Sequence, residues 1–272
     1  LGLSWQAHVQ ARRLNARRRQ AVRESSELKN HNERLARYLP EIVPPVTREA
    51  PLALQAPKEV FVTVAFLDLV GFAAMVARHS VSEVVDVLND FMALTSRLTL
   101  RHGGVLGKFL GDGVLIYFPE AAAARGEVGA AARVRGAAGC ARLSLALDPE
   151  LRSLSRAWRE RGLGVQLAVR AGMASGYCAL GDWGGQGRLD YTLIGTPVNL
   201  ASRLQSLATP GCALLCGATA ALIAQDPDLA AHLGEIRRRE VRGLGSVMMH
   251  ELSASAKVRA IPLPVRSGRP DA

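Results

Sequence analysis

Two aspartates occupy positions from which their carboxylates could act together on a metal ion. Asp68 follows a strongly β-prone run that begins at Val60, and Asp112 lies in the Gly-Asp-Gly turn of a second β segment. If these strands are neighbours, one end of the sheet carries two oxygen ligands of the kind that Mg²⁺ prefers. Each aspartate alone also has an ordinary interpretation, because aspartate is common in tight turns and as a helix cap.

An amide and a guanidinium are spaced to project from one face of a short helix. Thr196 is predicted as the N-cap and Pro197 as the first helical residue, and the helix is expected to end after Leu207. Asn199 and Arg203 are one helical turn apart, so their side chains are neighbours. Such a pair suits contacts to a sugar and to phosphate charge, although an ordinary surface helix has the same composition.

The elements around these residues predict a mixed α and β fold without repeats. Periodicity and turn signals indicate, in order, a strand at Val60–Leu67, a helix at Val81–Arg101 and a hairpin within Gly103–Phe118. The later elements are expected to be two helices within Ala121–Arg161 separated at Pro149, strands at Val165–Ala171 and Tyr177–Leu180, and a last strand pair within Glu240–Leu252.

The chain is long enough for one globular domain with extensions, since it has 272 residues and is 49% hydrophobic. We expect a basic N-terminal helix at 1–39, a proline-rich linker at 40–57, a catalytic domain at 58–252 and a loose tail at 253–272. The loosely heptad-spaced apolar residues of the first segment leave two interpretations open, a solvated helix or a dimer-forming coiled coil.

The positive charge is concentrated at the N-terminus. The net charge is +10, and the stretch from Val9 to Arg23 contains six arginines and no acid. Such a cluster suits a membrane-proximal cytosolic helix, which would transmit a signal from an upstream membrane or sensor domain. It would also suit an arm that binds nucleic acid, but an aromatic content of 5% argues against recognition by base stacking, so we expect no nucleic-acid partner.

The sequence disfavours a disulfide framework, a zinc site and a membrane span. The four cysteines follow no disulfide or zinc-binding framework, which favours a reducing cytosolic environment. The apolar stretch Val60 to Ala77 has Asp68 at its centre, so it is not expected to span a membrane. The first residue is leucine rather than methionine, and we therefore expect natural upstream sequence to precede this chain.

Three segments together resemble the catalytic domain of class III adenylate and guanylate cyclases. The stretch Tyr191–Leu204, YTLIGTPVNLASRL, is similar to that family's most diagnostic segment. Phe66–Phe72 and Gly107–Phe118 match the family in the same order along the chain. The resemblance implies an α+β, ferredoxin-like antiparallel sheet with packed helices. It also implies a homodimer whose catalytic domains pack head to tail.

The resemblance gives roles to the residues already singled out. Asp68 and Asp112 would bind two Mg²⁺ or Mn²⁺ ions per active site. Asn199 and Arg203, from the other subunit, would contact ribose and stabilise phosphate charge in the transition state. Substrate phosphates would also be held by backbone amides of the turn after the first aspartate, at Val70, Gly71 and Phe72.

Base recognition is implied at Lys108 and Thr192. Adenine presents an acceptor at N1 and a donor at N6, so a lysine with an acceptor selects adenine over guanine. Thr192 stands where many adenylate cyclases have aspartate, and its hydroxyl discriminates less sharply because it can also donate. Arg242 is the nearest match to a basic residue that contacts the terminal phosphates in many relatives.

The sequence therefore predicts an adenylate cyclase that converts ATP to 3′,5′-cyclic AMP and pyrophosphate. The catalytic domain is expected in the cytoplasm, tethered to the inner face of the membrane in the full-length protein. Two alternatives stay open, a guanylate cyclase of the same fold and an inactive cyclase-like scaffold with a basic nucleic-acid-binding or membrane-binding arm.

Overall fold

The computed structural model describes residues 57–120, 129–165, 167–185, 188–241 and 243–254. The predicted N-terminal helix, almost all of the predicted linker, most of the predicted tail and Arg242 lie outside the described residues. Eight strands are described, namely β1 Lys58–Val70, β2 Val105–Leu110, β3 Gly113–Pro119, β4 Ala168–Gly185, β5 Arg188–Ile194, β6 Ala213–Cys216, β7 Leu233–Val241 and β8 Gly245–Leu252. The described helices are α1 Phe72–Val76, α2 Val81–Arg101, α3 Ala130–Glu160, α4 Thr196–Leu207, α5 Gly217–Ile223 and α6 Pro227–Ala230.

All of these strands belong to one sheet in the order β2-β3-β1-β4-β6-β8-β7, with β5 pairing with β4 away from this path. The neighbours are antiparallel except β4 and β6, which are parallel. Helices pack against the sheet. The predicted α+β class is confirmed.

The two faces of β1 contact different helices. Ala65, Leu67 and Leu69 point into the main core, to which α2 and α3 contribute. Val62 and Val64 alternate with them and are fully buried on the other face. That other face is covered by α4, which packs on β4 and β1. Asp68 has the same parity as Val64, so it lies on the α4 face.

Helix α3 corrects the prediction of two helices separated at Pro149. It runs without a break from Ala130 to Glu160, with Pro149 inside it. A proline in a helix interior costs about 3 kcal/mol, mainly through a lost hydrogen bond and a steric clash. Buried Leu147 and Leu151 lie on either side of the proline, and the helix also buries Trp158. Burial of this apolar face outweighs the local cost.

Strand β4 corrects the prediction of two separate strands. It extends through 18 residues and pairs with β1 at thirteen consecutive positions, from Lys58 opposite Leu180 to Val70 opposite Ala168. Gly172 and Gly176 interrupt its β-prone sequence, because glycine has low strand propensity, but the long ladder outweighs this local preference.

Two further boundaries differ from the prediction. β7 begins at Leu233 rather than near Glu240, and its residues 235–240 are all exposed, so no alternation of apolar residues marks this strand in the sequence. The N-cap of α4 is Gly195, one residue before the predicted Thr196, and no side chain caps the helix. Among the segments that the structure describes, none of the helices is long and apolar enough to cross a membrane.

A partly buried hydrogen bond joins α2 to α3. The indole Nε1 of Trp158, whose side chain is fully buried, donates to Oδ2 of Asp90 at 2.8 Å. The Arg161 guanidinium donates to the same oxygen at 2.9 Å. Asp90 therefore satisfies an indole donor that would otherwise be buried without a partner.

We predict that Asp90→Ala lowers the free energy of unfolding by about 2 kcal/mol, because the indole donor loses its acceptor. The matched control is Asp86→Ala, an exposed carboxylate one turn earlier on α2, which should change it by less than about 0.5 kcal/mol. Denaturant unfolding measures both values. Equal effects of the two substitutions would contradict this role for Asp90.

Candidate active site

The register of the sheet brings the two predicted metal-binding aspartates to one end. Asp68 on β1 is the direct partner of Gly113 on β3, and Asp112 immediately precedes Gly113. The β2–β3 connection is the two-residue loop Gly111-Asp112, in which Gly111 has a φ of 70° that glycine adopts readily. Both aspartates therefore lie at the same edge of the sheet, Asp68 near the end of β1 and Asp112 in the loop that leads into the adjacent strand β3.

Arg170 is a charged neighbour of this edge that the sequence reasoning missed. It is the β4 partner of Asp68 across the ladder. Its Nε and Nη2 atoms each lie 2.8 Å from Oδ2 of Asp68. Both contacts fall on one carboxylate oxygen, so Oδ1 lies outside this ion pair. The two residues are 102 positions apart, so only knowledge of the β1–β4 register could have paired them.

The turn that was predicted to supply phosphate-binding amides follows β1 directly. Val70 is the last residue of β1, Gly71 has a φ of 95°, and Phe72 begins α1. The Gly71 carbonyl accepts a hydrogen bond from the Met75 amide at 3.0 Å. Gly71 is exposed, and the turn lies at the end of β1 that carries Asp68.

Strand β5 carries Thr192 and also contacts Lys108. The Lys108 ammonium forms an ion pair with Oδ2 of Asp190 on β5. Thr192 is two residues further along the same strand, so it faces the same side as Asp190. Trp183 of β4 donates from Nε1 to the Thr192 carbonyl at 3.2 Å and holds β5 in place. Asp190 was not predicted as a site residue, although its spacing from Thr192 could have indicated it.

A buried tyrosine lies on the same sheet face as Lys108. Lys108 pairs with Leu115 on β3, and Tyr117 is two residues beyond Leu115. Tyr117 is 2% exposed, and its hydroxyl has no hydrogen-bond partner among the described residues. Burial, followed by the effect of Tyr191, raises the pKa of Tyr117 above the usual tyrosine range. The Tyr117 hydroxyl is therefore neutral, and Tyr117 lies on the same sheet face as Lys108.

Helix α4 presents the predicted transition-state residues away from the sheet. Its buried residues are Pro197, Ala201 and Leu204, which face the sheet. Asn199 and Arg203 are exposed on the remaining surface of the helix. Within the described residues, no hydrogen bond or ion pair joins these two side chains to the aspartates. The described contacts thus leave Asn199 and Arg203 exposed and unconnected to the two aspartates of their own chain.

The donor set at the sheet edge suits a hard cation that is also held by its substrate. Among the described residues, no group of three or more histidine, cysteine, aspartate or glutamate side chains is placed to hold a metal ion. Asp68 and Asp112 provide a pair of carboxylates instead. Mg²⁺ is commonly bound through one or two carboxylates, with phosphate oxygens and water completing the octahedron.

Comparison with known proteins identifies the family. The family profile described as the adenylate and guanylate cyclase catalytic domain matches residues 54–254. The chain belongs to this family. The matched range includes all the described residues, among them the sheet edge, β5 and α4.

Two curated proteins are similar in sequence to part of this chain. Adenylate cyclase 1 of Rhizobium meliloti is 31% identical over 169 residues, which are 62% of this chain and 24% of that protein. An uncharacterized Mycobacterium tuberculosis protein is 33% identical over 176 residues, 63% of this chain and 29% of its own. This cyclase domain therefore aligns with less than a third of the length of these relatives.

Solved structures of both nucleotide specificities resemble the domain. The adenylyl cyclase CyaB from P. aeruginosa has a TM-score of 0.64 and 29% identity, covering 74% of this chain and 97% of its own. The guanylyl cyclase Cya2 has a TM-score of 0.60 and 26% identity, covering 73% and 94%. A bacterial light-regulated adenylyl cyclase shares the fold, with a TM-score of 0.65 at 20% identity, covering 85% and 62%.

Proposed function

We propose that this domain is an adenylate cyclase. The ribose 3′-oxygen of ATP forms a bond to the α-phosphorus, and the bond between the α-phosphorus and the bridging oxygen of pyrophosphate breaks. The hydroxyl proton is released, and the products are 3′,5′-cyclic AMP and pyrophosphate. The reaction takes place at sites shared between two subunits of a homodimer that packs head to tail.

The observation that carries this proposal is that Asn199 and Arg203 are exposed on α4, whose buried residues face the sheet that carries the aspartates. Asp68 and Asp112 lie together at one sheet edge, whereas Asn199 and Arg203 are exposed on the outer surface of α4. A site within one chain would need these groups to face one another. Two copies related by a two-fold axis can instead place the helix of one beside the carboxylates of the other, twice per dimer.

The sheet edge would hold the metal ions and the polyphosphate. Asp68 and Asp112 would coordinate two Mg²⁺ or Mn²⁺ ions, which when bound neutralise phosphate charge and lower the pKa of the attacking hydroxyl. Arg170 orients Asp68 through Oδ2 and adds positive charge beside the triphosphate.

Other residues would bind the substrate around its reacting phosphorus. The amides of Val70, Gly71 and Phe72 would donate to phosphate oxygens, and Arg242 would contact the terminal phosphates. From the partner subunit's helix, Asn199 would orient the ribose and Arg203 would stabilise the charge that develops on the α-phosphate. Such preorganised donors stabilise a transition state more than a ground state.

The adenine would lie against Lys108, Thr192 and Asp190. Lys108 would donate to N1, and Thr192 would accept from the N6 amino group. Asp190 adds a carboxylate acceptor on the same side of β5 and holds the lysine before substrate arrives. A carboxylate close to position 6 of the base would repel the O6 acceptor of guanine, which supports adenine.

Guanylate cyclase activity is the second candidate. At positions 6 and 1, guanine has the opposite pattern to adenine: its O6 accepts a hydrogen bond and its N1 donates one. A lysine beside an aspartate can therefore bind either base. Adenine fits if the aspartate contacts position 6, and guanine fits if the lysine contacts it. The similarity to the guanylyl cyclase Cya2 supports keeping this candidate in the test.

We predict that Asp68→Asn or Asp112→Asn lowers kcat for cyclic AMP formation by at least about 100-fold, because each removes a charged metal ligand. Exposed Asp86→Asn is the matched control and should keep full activity. Cyclic AMP and pyrophosphate are quantified with Mg²⁺ and with Mn²⁺, and thermal unfolding verifies the fold.

Near-normal turnover of both aspartate variants would refute the metal assignment. A parent protein without any turnover, but with salt-sensitive retention on DNA or anionic vesicles, would support the inactive scaffold instead.

We predict that the parent protein prefers ATP to GTP in kcat/KM. Replacing Lys108 by glutamate together with Thr192 by cysteine or glycine should reduce this ratio at least about tenfold, because glutamate accepts from guanine N1 and N2. Asp190→Ala should reduce it by a smaller factor, since it frees Lys108 without removing it. A parent that uses GTP better than ATP would show that guanylate cyclase is the correct assignment.

We predict that two inactive variants restore activity when mixed. One lacks both aspartates (Asp68→Ala, Asp112→Ala), and the other lacks both helix residues (Asn199→Ala, Arg203→Ala). A mixed dimer has one complete site, so random pairing should yield about a quarter of parental activity. If subunit exchange is demonstrated and the mixture stays inactive, the site is not shared.

A further inference from the structure

Helix α4 lies in direct contact with the backbone of β4 at a glycine. A β-carbon at Gly172 would lie 2.1 Å from the Ala201 carbonyl oxygen and 2.1 Å from the Gln205 amide nitrogen. It would also lie 2.8 Å from Cα of Gln205. These are main-chain atoms, so no side-chain rotation could relieve the overlap. Only glycine allows the helix to approach the strand this closely.

A second glycine on the same face of β4 contacts the start of the helix. A β-carbon at Gly176 would lie 2.9 Å from Cγ of Pro197. Gly172 and Gly176 are four residues apart on one strand, so both face α4. The two contacts therefore fix the beginning and the later part of the helix against the sheet.

The side of α4 that contacts the two glycines, here called the contact stripe, determines where the exposed residues of the helix lie. Pro197, Ala201 and Gln205 recur at every fourth residue and form the side of α4 that contacts the glycines. Asn199 and Arg203 lie between them in sequence and emerge on the exposed surface. Any displacement of the contact stripe from the sheet displaces these two side chains by a similar distance.

We infer that Gly172 and Gly176 are positioning residues for the half of the active site that α4 supplies to the partner subunit. This inference rests on the proposed function, because it assigns the consequence of the contact to Asn199 and Arg203. A β-carbon at either glycine moves the helix outward toward the substrate. Misplacement of catalytic groups by about 1 Å can reduce turnover by about 100-fold.

The first test uses a compensating pair of substitutions. Gly176→Ala should lower kcat about tenfold or more while the KM for ATP stays within about twofold, because the substrate-binding walls on β1, β2 and β5 are unchanged. Pro197→Ala removes the Cγ atom that the new β-carbon would meet, so the double variant should recover most of the kcat. Gly217→Ala is the matched control, since a β-carbon there meets nothing within 4 Å.

Two results of this cycle would overturn the inference. One is a Gly176→Ala enzyme as active as the Gly217→Ala control. The other is a double variant that remains as impaired as Gly176→Ala alone. Thermal unfolding is measured on the parent protein and on every variant of this test, so that a general loss of folded protein is distinguished from a loss in kcat.

The second test uses mixing to locate the defect in the site. A Gly172→Ala chain still has both aspartates, so it should regain activity with the chain that lacks Asp68 and Asp112, whose α4 is intact. It should regain none with the chain that lacks Asn199 and Arg203. The reverse pattern would place the defect at the aspartates, and no rescue by either chain would mean general damage; both outcomes contradict the positioning role.

The parent protein is assayed beside these mixtures. A parent that forms no cyclic nucleotide contradicts the proposed function itself. An active parent whose Gly172→Ala variant shows the wrong rescue pattern contradicts the glycine inference alone.

Discussion

The register of β1 between β3 and β4 is the constraint on which the candidate site depends. This single alignment places Asp68 opposite Gly113 on one side and opposite Arg170 on the other. A slip of one residue would turn Asp68 into the apolar core and bring Leu67 or Leu69 to the α4 face. The fully buried Val62 and Val64 on one face and Leu67 on the other make such a slip costly. The hydrophobic core therefore fixes the position of a polar site at its edge.

The position of α4 depends on residues of β4 that have no side chain, Gly172 and Gly176. Glycines on β4 allow the helix to lie against the strand backbone, and the apolar residues Pro197, Ala201 and Leu204 secure it there. Its polar residues Asn199 and Arg203 are left exposed on the outer side. A fold that buries one side of a helix so closely and exposes an amide and a guanidinium on the other is suited to catalysis between two copies.

The sequence was sufficient to predict the residues whose role depends on local pattern. Asp68 at the end of an apolar strand and Asp112 in a hairpin turn were singled out from local pattern, and the resemblance to the cyclase family suggested their roles and the α+β class, whereas the element order alone indicated a mixed α and β fold. The pairing of Asp68 with Arg170 and of Lys108 with Asp190 could not be recognised, because the members of these pairs are 102 and 82 positions apart. Their roles arise from strand register, which no local pattern contains.

The failures of the secondary-structure prediction have the same physical origin. Pro149 and the glycines of β4 disfavour regular structure locally, and tertiary packing outweighs them. In β4 the same glycines that disguise the strand permit the approach of α4. The position at which local propensity gave the wrong answer is thus the position on which the geometry of the proposed site depends.

If catalysis requires two chains, as we propose, the specific activity depends on protein concentration. Cyclic AMP formation per mole of chain is measured across a dilution series, and analytical ultracentrifugation gives the dimer fraction at each concentration. The account predicts that specific activity falls in proportion to the dimer fraction as the protein dissociates. Constant specific activity in samples shown to be monomeric would contradict it and would mean that one chain contains a complete site.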